Sequence, residues 1–109
     1  MVLETGNLTT KRDYTDVRDI AKAYRLLIEK GKSGETYNVC TGRSISGNDI
    51  LTAIQKITKT TITPKVDKNK IRPNDIKDIY GDNQKITTDT GWLPSIDLNK
   101  TLTDVINTT

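Results

Sequence analysis

Histidine and phenylalanine are absent from this chain of 109 residues, and Cys40 is its only cysteine. Without histidine, no Ser-His-Asp or Cys-His nucleophile can be assembled from these residues. One cysteine excludes a disulfide scaffold, and no Cys/His set is available to hold zinc. No apolar run approaches the ~20 residues of a membrane span, and no apolar stretch near Met1 reads as a signal peptide. The net charge of +3 suits anionic small ligands but is too weak to indicate nucleic acid. A reducing, cytoplasmic setting with no membrane and no nucleic-acid partner is therefore expected. Apolar residues are also scarce, at 33%, low against a usual ~45–50% even after the glycines are added. That shortage implies that part of the core lies in another portion of a larger fold. The length allows one domain, spanning 1–109, and is too short for a two-lobed dinucleotide enzyme.

Two periodicities alternate along the chain. Val2–Leu8 reads as a strand running into a turn, and Arg12-Asp13-Tyr14 as a short extended segment. Val17, Ile20, Ala21, Tyr24, Leu27 and Ile28 then follow helical spacing. Thr15 or Asp16 is the predicted N-cap of that helix and Gly31 its left-handed C-terminal residue. Tyr37-Asn38-Val39-Cys40 reads as a buried strand closed by Thr41-Gly42. Ser46 with Asp49 three residues on, between Ile45 and Ile50, predicts a capped second helix. Thr61–Val66 is rich in β-branched residues, and Pro64 marks it as an edge strand. A short helix is expected from Asp82 to Gly91, then an apolar corner at Trp92-Leu93-Pro94 that anchors a last helix capped near Asp97. The order βαβαβ followed by helices gives an α/β class.

Arg12 and Arg72 are the candidate chemistry-bearing side chains. Each has a carboxylate nearby in sequence, Asp13 and Asp75, able to orient a guanidinium. Planar guanidinium forks match phosphate oxygens, so two arginines converging from different loops would form a diphosphate clamp. Spacing alone favours ordinary surface ion pairs, and Lys65, Lys68 and Lys70 read as a solvated basic face. None of the four tyrosines is followed four residues later by lysine, so no phenol is poised for proton transfer. Tyr24 falls on the helical stripe and is expected in the core; Cys40 reads as a small hydrophobe. Gly42 and Gly47 lack the spacing of a dinucleotide loop.

Six motifs occur in a fixed order: Gly6-Asn7-Leu8, Arg12-Asp13-Tyr14-Thr15-Asp16-Val17-Arg18-Asp19, Tyr37-Asn38-Val39-Cys40-Thr41-Gly42, Arg72-Pro73-Asn74-Asp75, Gly81-Asp82 and Gly91-Trp92-Leu93-Pro94. The series resembles the C-terminal part of extended short-chain dehydrogenase/reductases, the NAD-dependent epimerase/dehydratase family. Within it the chain is most similar to GDP-4-dehydro-6-deoxy-mannose reductases and GDP-mannose 4,6-dehydratases. The resemblance implies a GDP-sugar substrate gripped by Arg12 and Arg72 at the diphosphate, with Asp75 near the nucleotide and Asn7, Leu8 and Lys11 flanking it. It also implies a Rossmann half carrying NAD or NADP, whose glycine-rich loop and Tyr-x-x-x-Lys pair would lie before residue 1. No cofactor-binding and no catalytic residue is assigned within the chain, which alone should not catalyse the reaction.

Two readings of different class follow. The chain is the nucleotide-sugar-binding segment of an NAD(P)-dependent reductase or dehydratase, or it is a stand-alone nucleotide- or polyanion-binding module without chemistry. A purely structural domain would require Arg12 and Arg72 to lie far apart and exposed. With the Rossmann half absent, the first helix and the Tyr37 segment would be uncovered, and the isolated chain is expected either to self-associate through that face or to be marginally stable.

Overall fold

A computed structural model describes residues 1–72 and 75–108. It confirms the α/β class, with helices that follow the sequence pattern closely and sheets that are much smaller than expected. β1 (Val2–Thr5) pairs in parallel with β4 (Thr63–Val66), bringing Val2 opposite Thr63. β2 (Lys11–Arg12) pairs antiparallel with β3 (Ile45–Ser46). A parallel bridge from Lys11 to Asp78 widens this second sheet on its other edge.

α1 (Val17–Lys30) begins where Asp16 turns its carboxylate onto the Arg18 N–H, supplying the acceptor that the helix's first turn lacks. Its end departs from the prediction. Gly31 has φ −67° rather than a left-handed value, and its N–H donates to the Leu27 carbonyl. Glycine is required there for a different reason: a Cβ would stand 2.5 Å from the Leu27 oxygen. α2 (Gly47–Thr58) carries the predicted capping box in full, with Ser46 Oγ accepting from the Asp49 N–H and Asp49 from the Ser46 N–H. α3 (Gln84–Thr90) ends at Gly91 with φ 77°, as the sequence indicates. α4 (Leu98–Thr108) starts after Asp97, whose carboxylate accepts from the Lys100 N–H.

The core lies between α1 and α3. Ala23, Ile86 and Trp92 form its buried centre, with Leu26, Leu27, Tyr37 and Val39 packed against them. Trp92 thus anchors the α1–α3 pair rather than the last helix; α4 packs on α2 and has no buried residue. A fully buried Asp19 locks the corner after Trp92. Its carboxylate accepts from the N–H groups of Ser95 and Ile96 and from Ser95 Oγ, while its carbonyl accepts from Trp92 Nε1.

Two predictions fail for one physical reason. Tyr37–Cys40 forms no ladder, because no strand among the described residues lies alongside it. Tyr24 is 61% exposed instead of buried, and Val17 and Ile28 on the same side of α1 are more exposed still. The apolar residues of α1 cover two faces of the helix, and only the one centred on Ala23 is packed. The whole molecule is correspondingly thin, 49 × 35 × 18 Å, with a radius of gyration of 16.7 Å where about 13 Å is usual for this length.

Candidate functional site

The Arg12 strand is the centre from which the site is built. Lys11 donates its N–H to the Lys77 carbonyl and accepts from the Ile79 N–H, while β3 holds the opposite edge. Arg12 is therefore clamped at backbone level between two neighbouring segments. Its Nη2 lies 2.9 Å from Asp75 Oδ1 and its Nη1 donates to the Lys11 carbonyl, with both side chains about two-thirds buried.

The carboxylates are distributed differently from the sequence expectation. Asp75, 63 residues away, orients Arg12, whereas Asp13 does not touch it. The Asp13 carboxylate instead accepts from the Thr41 N–H and Oγ1, the Gly42 N–H and the Gly81 N–H. Burial pushes this carboxyl up, and the hydrogen bonds from Thr41, Gly81 and Gly42 outweigh it, leaving the group below its ordinary value. Asp13 thereby ties three separate segments together immediately beside Arg12. Nothing in the sequence spacing marks that role, because the donors are backbone groups 28 and 68 residues downstream. The Cys40 thiol faces the same junction and is pushed up by burial and by the Asp13 charge, which makes it a poor nucleophile at neutral pH.

Arg72 is exposed, and its side chain has no hydrogen-bond or ion-pair partner among the described residues. It stands three residues before Asp75, with Pro73 and Asn74 of the predicted motif outside the described residues. The Asp67–Arg72 segment runs against the Gly6 turn: the Asp67 N–H donates to the Thr5 carbonyl, and a Cβ on Gly6 would sit 3.3 Å from the Lys70 oxygen. In that turn Asn7 Oδ1 accepts from the N–H and Oγ1 of Thr9. Leu8 accepts from the Asn48 N–H and packs so closely on Gly47 that a Cβ there would approach Leu8 Cδ2 to 2.9 Å. Arg12 and Asp75 are thus in contact, Asn7, Leu8 and Lys11 lie on the strand-and-turn segment leading to Arg12, and Arg72 lies on the segment beside the same turn.

An open groove of about 370 Å³ lies on the other side of β3, between Tyr14, Arg43 and Ile45 and the Pro94–Leu98 corner. None of the six sequence-designated residues lines it. A shallower hollow of about 270 Å³ collects Glu4, Lys65, Val66, Asp67 and Lys68, so two of the three lysines read as a basic face share one surface.

The glycines do not form a dinucleotide cradle. Gly42, at φ 81°, abuts the Gly81 carbonyl, and Gly47 is filled by Leu8. Both serve chain packing.

Residues 1–105 match the family described as GDP-mannose 4,6 dehydratase. The chain is 27% identical over 105 residues to the GDP-6-deoxy-D-mannose reductase of Pseudomonas aeruginosa, covering 96% of this chain and 34% of that protein. It is 38% identical over 91 residues to a probable UDP-arabinose 4-epimerase of Arabidopsis thaliana, covering 82% and 22%. Among solved structures, RMD from Pseudomonas aeruginosa complexed with NADPH superposes with a TM-score of 0.91 at 26% identity, over 97% of this chain and 35% of that one. The UDP-glucose 4-epimerase of Thermotoga maritima with UDP-glucose gives 0.81 at 26% identity, over 96% and 33%. The chain therefore spans about a third or less of the length of these relatives, and corresponds to their C-terminal part.

Proposed function

Because the chain belongs to the GDP-mannose 4,6-dehydratase family, we propose that it supplies the substrate-holding side of a nucleotide-sugar enzyme, with Arg12 and Arg72 gripping a diphosphate. The observation that carries this reading is the Arg12–Asp75 pair. A guanidinium fixed at 2.9 Å by one carboxylate, on a strand held from both edges, is pre-oriented and still keeps free N–H groups for an anion. Arg72, without a side-chain partner among the described residues, supplies the second positive group from the segment beside the Gly6 turn. Asp75 would face the nucleotide, and Asn7, Leu8 and Lys11 would flank it. A GDP-sugar is the preferred ligand, since the named reductase and the matched family both act on GDP-linked sugars.

Hydride transfer is assigned elsewhere. The named neighbour in complex with NADPH is about three times as long as the matched region, and Gly42 and Gly47 here are occupied by chain packing. We assign the NAD or NADP, and the groups that move hydride and proton, to a cofactor-binding portion outside residues 1–109. In such an assembly this segment positions the sugar carbon by holding its remote diphosphate, which raises the rate through orientation.

The test is calorimetric titration of the purified chain with GDP, GDP-mannose and guanosine. Binding of the two diphosphates but not the nucleoside is expected. Arg12→Ala and Arg72→Ala should each weaken binding by roughly 10- to 100-fold, the range of a lost charge-assisted hydrogen bond of ~1.5–3 kcal/mol. Equal affinity for guanosine and GDP, or unchanged binding by both variants, would overturn the clamp.

A further inference from the structure

Asp13 follows Arg12 directly and has no part in the diphosphate reading, yet its carboxylate is divided between two sets of donors. Oδ1 accepts from the Thr41 N–H at 2.9 Å and from Thr41 Oγ1 at 2.6 Å. Oδ2 accepts from the N–H groups of Gly42 and Gly81 at 2.9 and 3.3 Å. Thr41 and Gly42 lie just upstream of β3, and Gly81 closes the stretch 75–81 that begins at Asp75. Those are the two segments that border β2. One carboxylate at the end of β2 therefore fastens both of its neighbours.

Neither neighbour is well secured without it. β2 and β3 share only two residue pairs, and so short a ladder holds little by itself. The stretch 75–81 meets β2 through the single bridge from Lys11 to Asp78 and has no other regular structure. The glycines show how closely the backbones converge on the carboxylate. A Cβ on Gly81 would stand 2.6 Å from Cys40 Sγ, and one on Gly42 3.7 Å from the Gly81 oxygen.

We propose that Asp13 is the positioning residue of the clamp: it fixes the stretch 75–81 against β2, and so sets where Asp75 stands and how the Arg12 guanidinium is turned. Arg12 Nη2 meets Asp75 Oδ1 at 2.9 Å, so a shift of that stretch rotates or releases the fork. Paired capture of phosphate oxygens depends on the plane of the guanidinium, and a small misplacement weakens it. This role rests on the diphosphate reading for its ligand, whereas the hold on Arg12 exists with or without one.

Charge and geometry make opposite predictions for removing this carboxylate. Asp13 is ionised at neutral pH, and a negative charge one residue from Arg12 repels a diphosphate. By Coulomb's law alone, Asp13→Asn would tighten GDP binding. Loss of a positioning residue weakens it instead. An asparagine oxygen can keep one set of donors, but its NH2 then faces the N–H of the other set, donor against donor.

Two measurements on the 109-residue chain separate the outcomes. NMR of the Arg12 guanidinium, assigned by its absence from Arg12→Lys and recorded without nucleotide, should show two distinct Nη groups. Nη1 donates to the Lys11 carbonyl and Nη2 to Asp75, which restrains their exchange. In Asp13→Asn the two should average while Trp92 emission stays that of the folded chain. Calorimetry should then give GDP binding at least about tenfold weaker, the range of a lost charge-assisted hydrogen bond. Unchanged Arg12 signals in the variant, signals already averaged in the unaltered chain, or GDP binding that stays equal or tightens would each overturn the proposal. An unaltered chain that ignores GDP overturns the diphosphate reading instead, and the guanidinium signals then decide the role of Asp13 by themselves. If Asp13→Asn does not stay folded, Thr41→Val replaces it. That variant removes the hydroxyl donor and leaves the backbone ones, and Arg12 signals that do not move in it overturn the proposal.

Discussion

Asp19 combines zero exposure with an ionisable side chain, an arrangement that is costly unless every oxygen is satisfied. Here the two carboxylate oxygens accept three hydrogen bonds from Ser95 and Ile96, and the backbone carbonyl takes a fourth from the indole. One residue thus connects α1 to the corner after α3. Replacing it by alanine strands buried donors as well as losing the bonds, so Asp19→Ala should destabilise the fold by roughly 3 kcal/mol, the upper part of the usual mutational range. Urea unfolding followed by Trp92 fluorescence reads this directly; a loss below about 1 kcal/mol would mean that the corner is held by packing instead. The carboxylate partner of Arg12 is not the one its sequence neighbourhood suggests. Asp13 adjoins Arg12 in sequence and Asp75 does not, yet the fold gives Arg12 to Asp75 and spends Asp13 on backbone N–H groups. Nothing local in a sequence encodes a contact across 63 positions.

Most elements whose signals are local were legible, the left-handed end expected at Gly31 being the exception. The α2 capping box lies within four residues, Gly91 ends α3 by its own φ, and Asp97 starts α4 by its own side chain. Tyr37–Cys40 was read as a strand because its residues suit one, but a strand exists only with a neighbour to bond. Tyr24 was expected in the core because periodicity reports apolarity, not what covers it. Tertiary contact also sets the tolerance of α2 to change at its first residue. Alanine normally favours a helix over glycine by about 1 kcal/mol, yet a Cβ at Gly47 would press on Leu8 at 2.9 Å from Cδ2 and 3.1 Å from Cα. Gly47→Ala should therefore destabilise, by about 1–3 kcal/mol. If thermal melts show Gly47→Ala to be stabilising, the Leu8 turn yields readily, and its place in a preformed nucleotide site is lost with it.

For the whole molecule, charge pairing predicts an acid limit. Arg18, with help from Thr101, holds the Asp16 carboxyl far below its ordinary 3.8. Arg18 and Lys100 lower Asp104, and Lys85 lowers Glu35. Asp13 is lowered as well. Each carboxylate binds its proton more weakly folded than unfolded, so its contribution is complete above the unfolded value and disappears as pH falls through and below it. The urea midpoint should be flat from about pH 7 to about pH 5 and drop steadily toward about pH 3, with Asp16→Asn reducing the drop. A midpoint that rises on acidification would contradict the pairing. The α/β class and the helix order were readable from the chain. The small sheets and thin shape were not, since strand propensity says nothing of which segments find a partner.

The parallel pairing of β1 with β4 also has a temporal side. Val2 meets Thr63, so the first strand made must wait for a partner made 61 residues later. At about 5–20 residues per second of synthesis, that is on the order of 3–12 s, during which α1 and α2 can form from local contacts while β1 has no partner. β1 leaves the ribosome before β4, and both strands gain protection only when they pair. A fusion partner or a chaperone acting on this protein would meet an unpaired Val2-Leu3-Glu4-Thr5 edge throughout that interval.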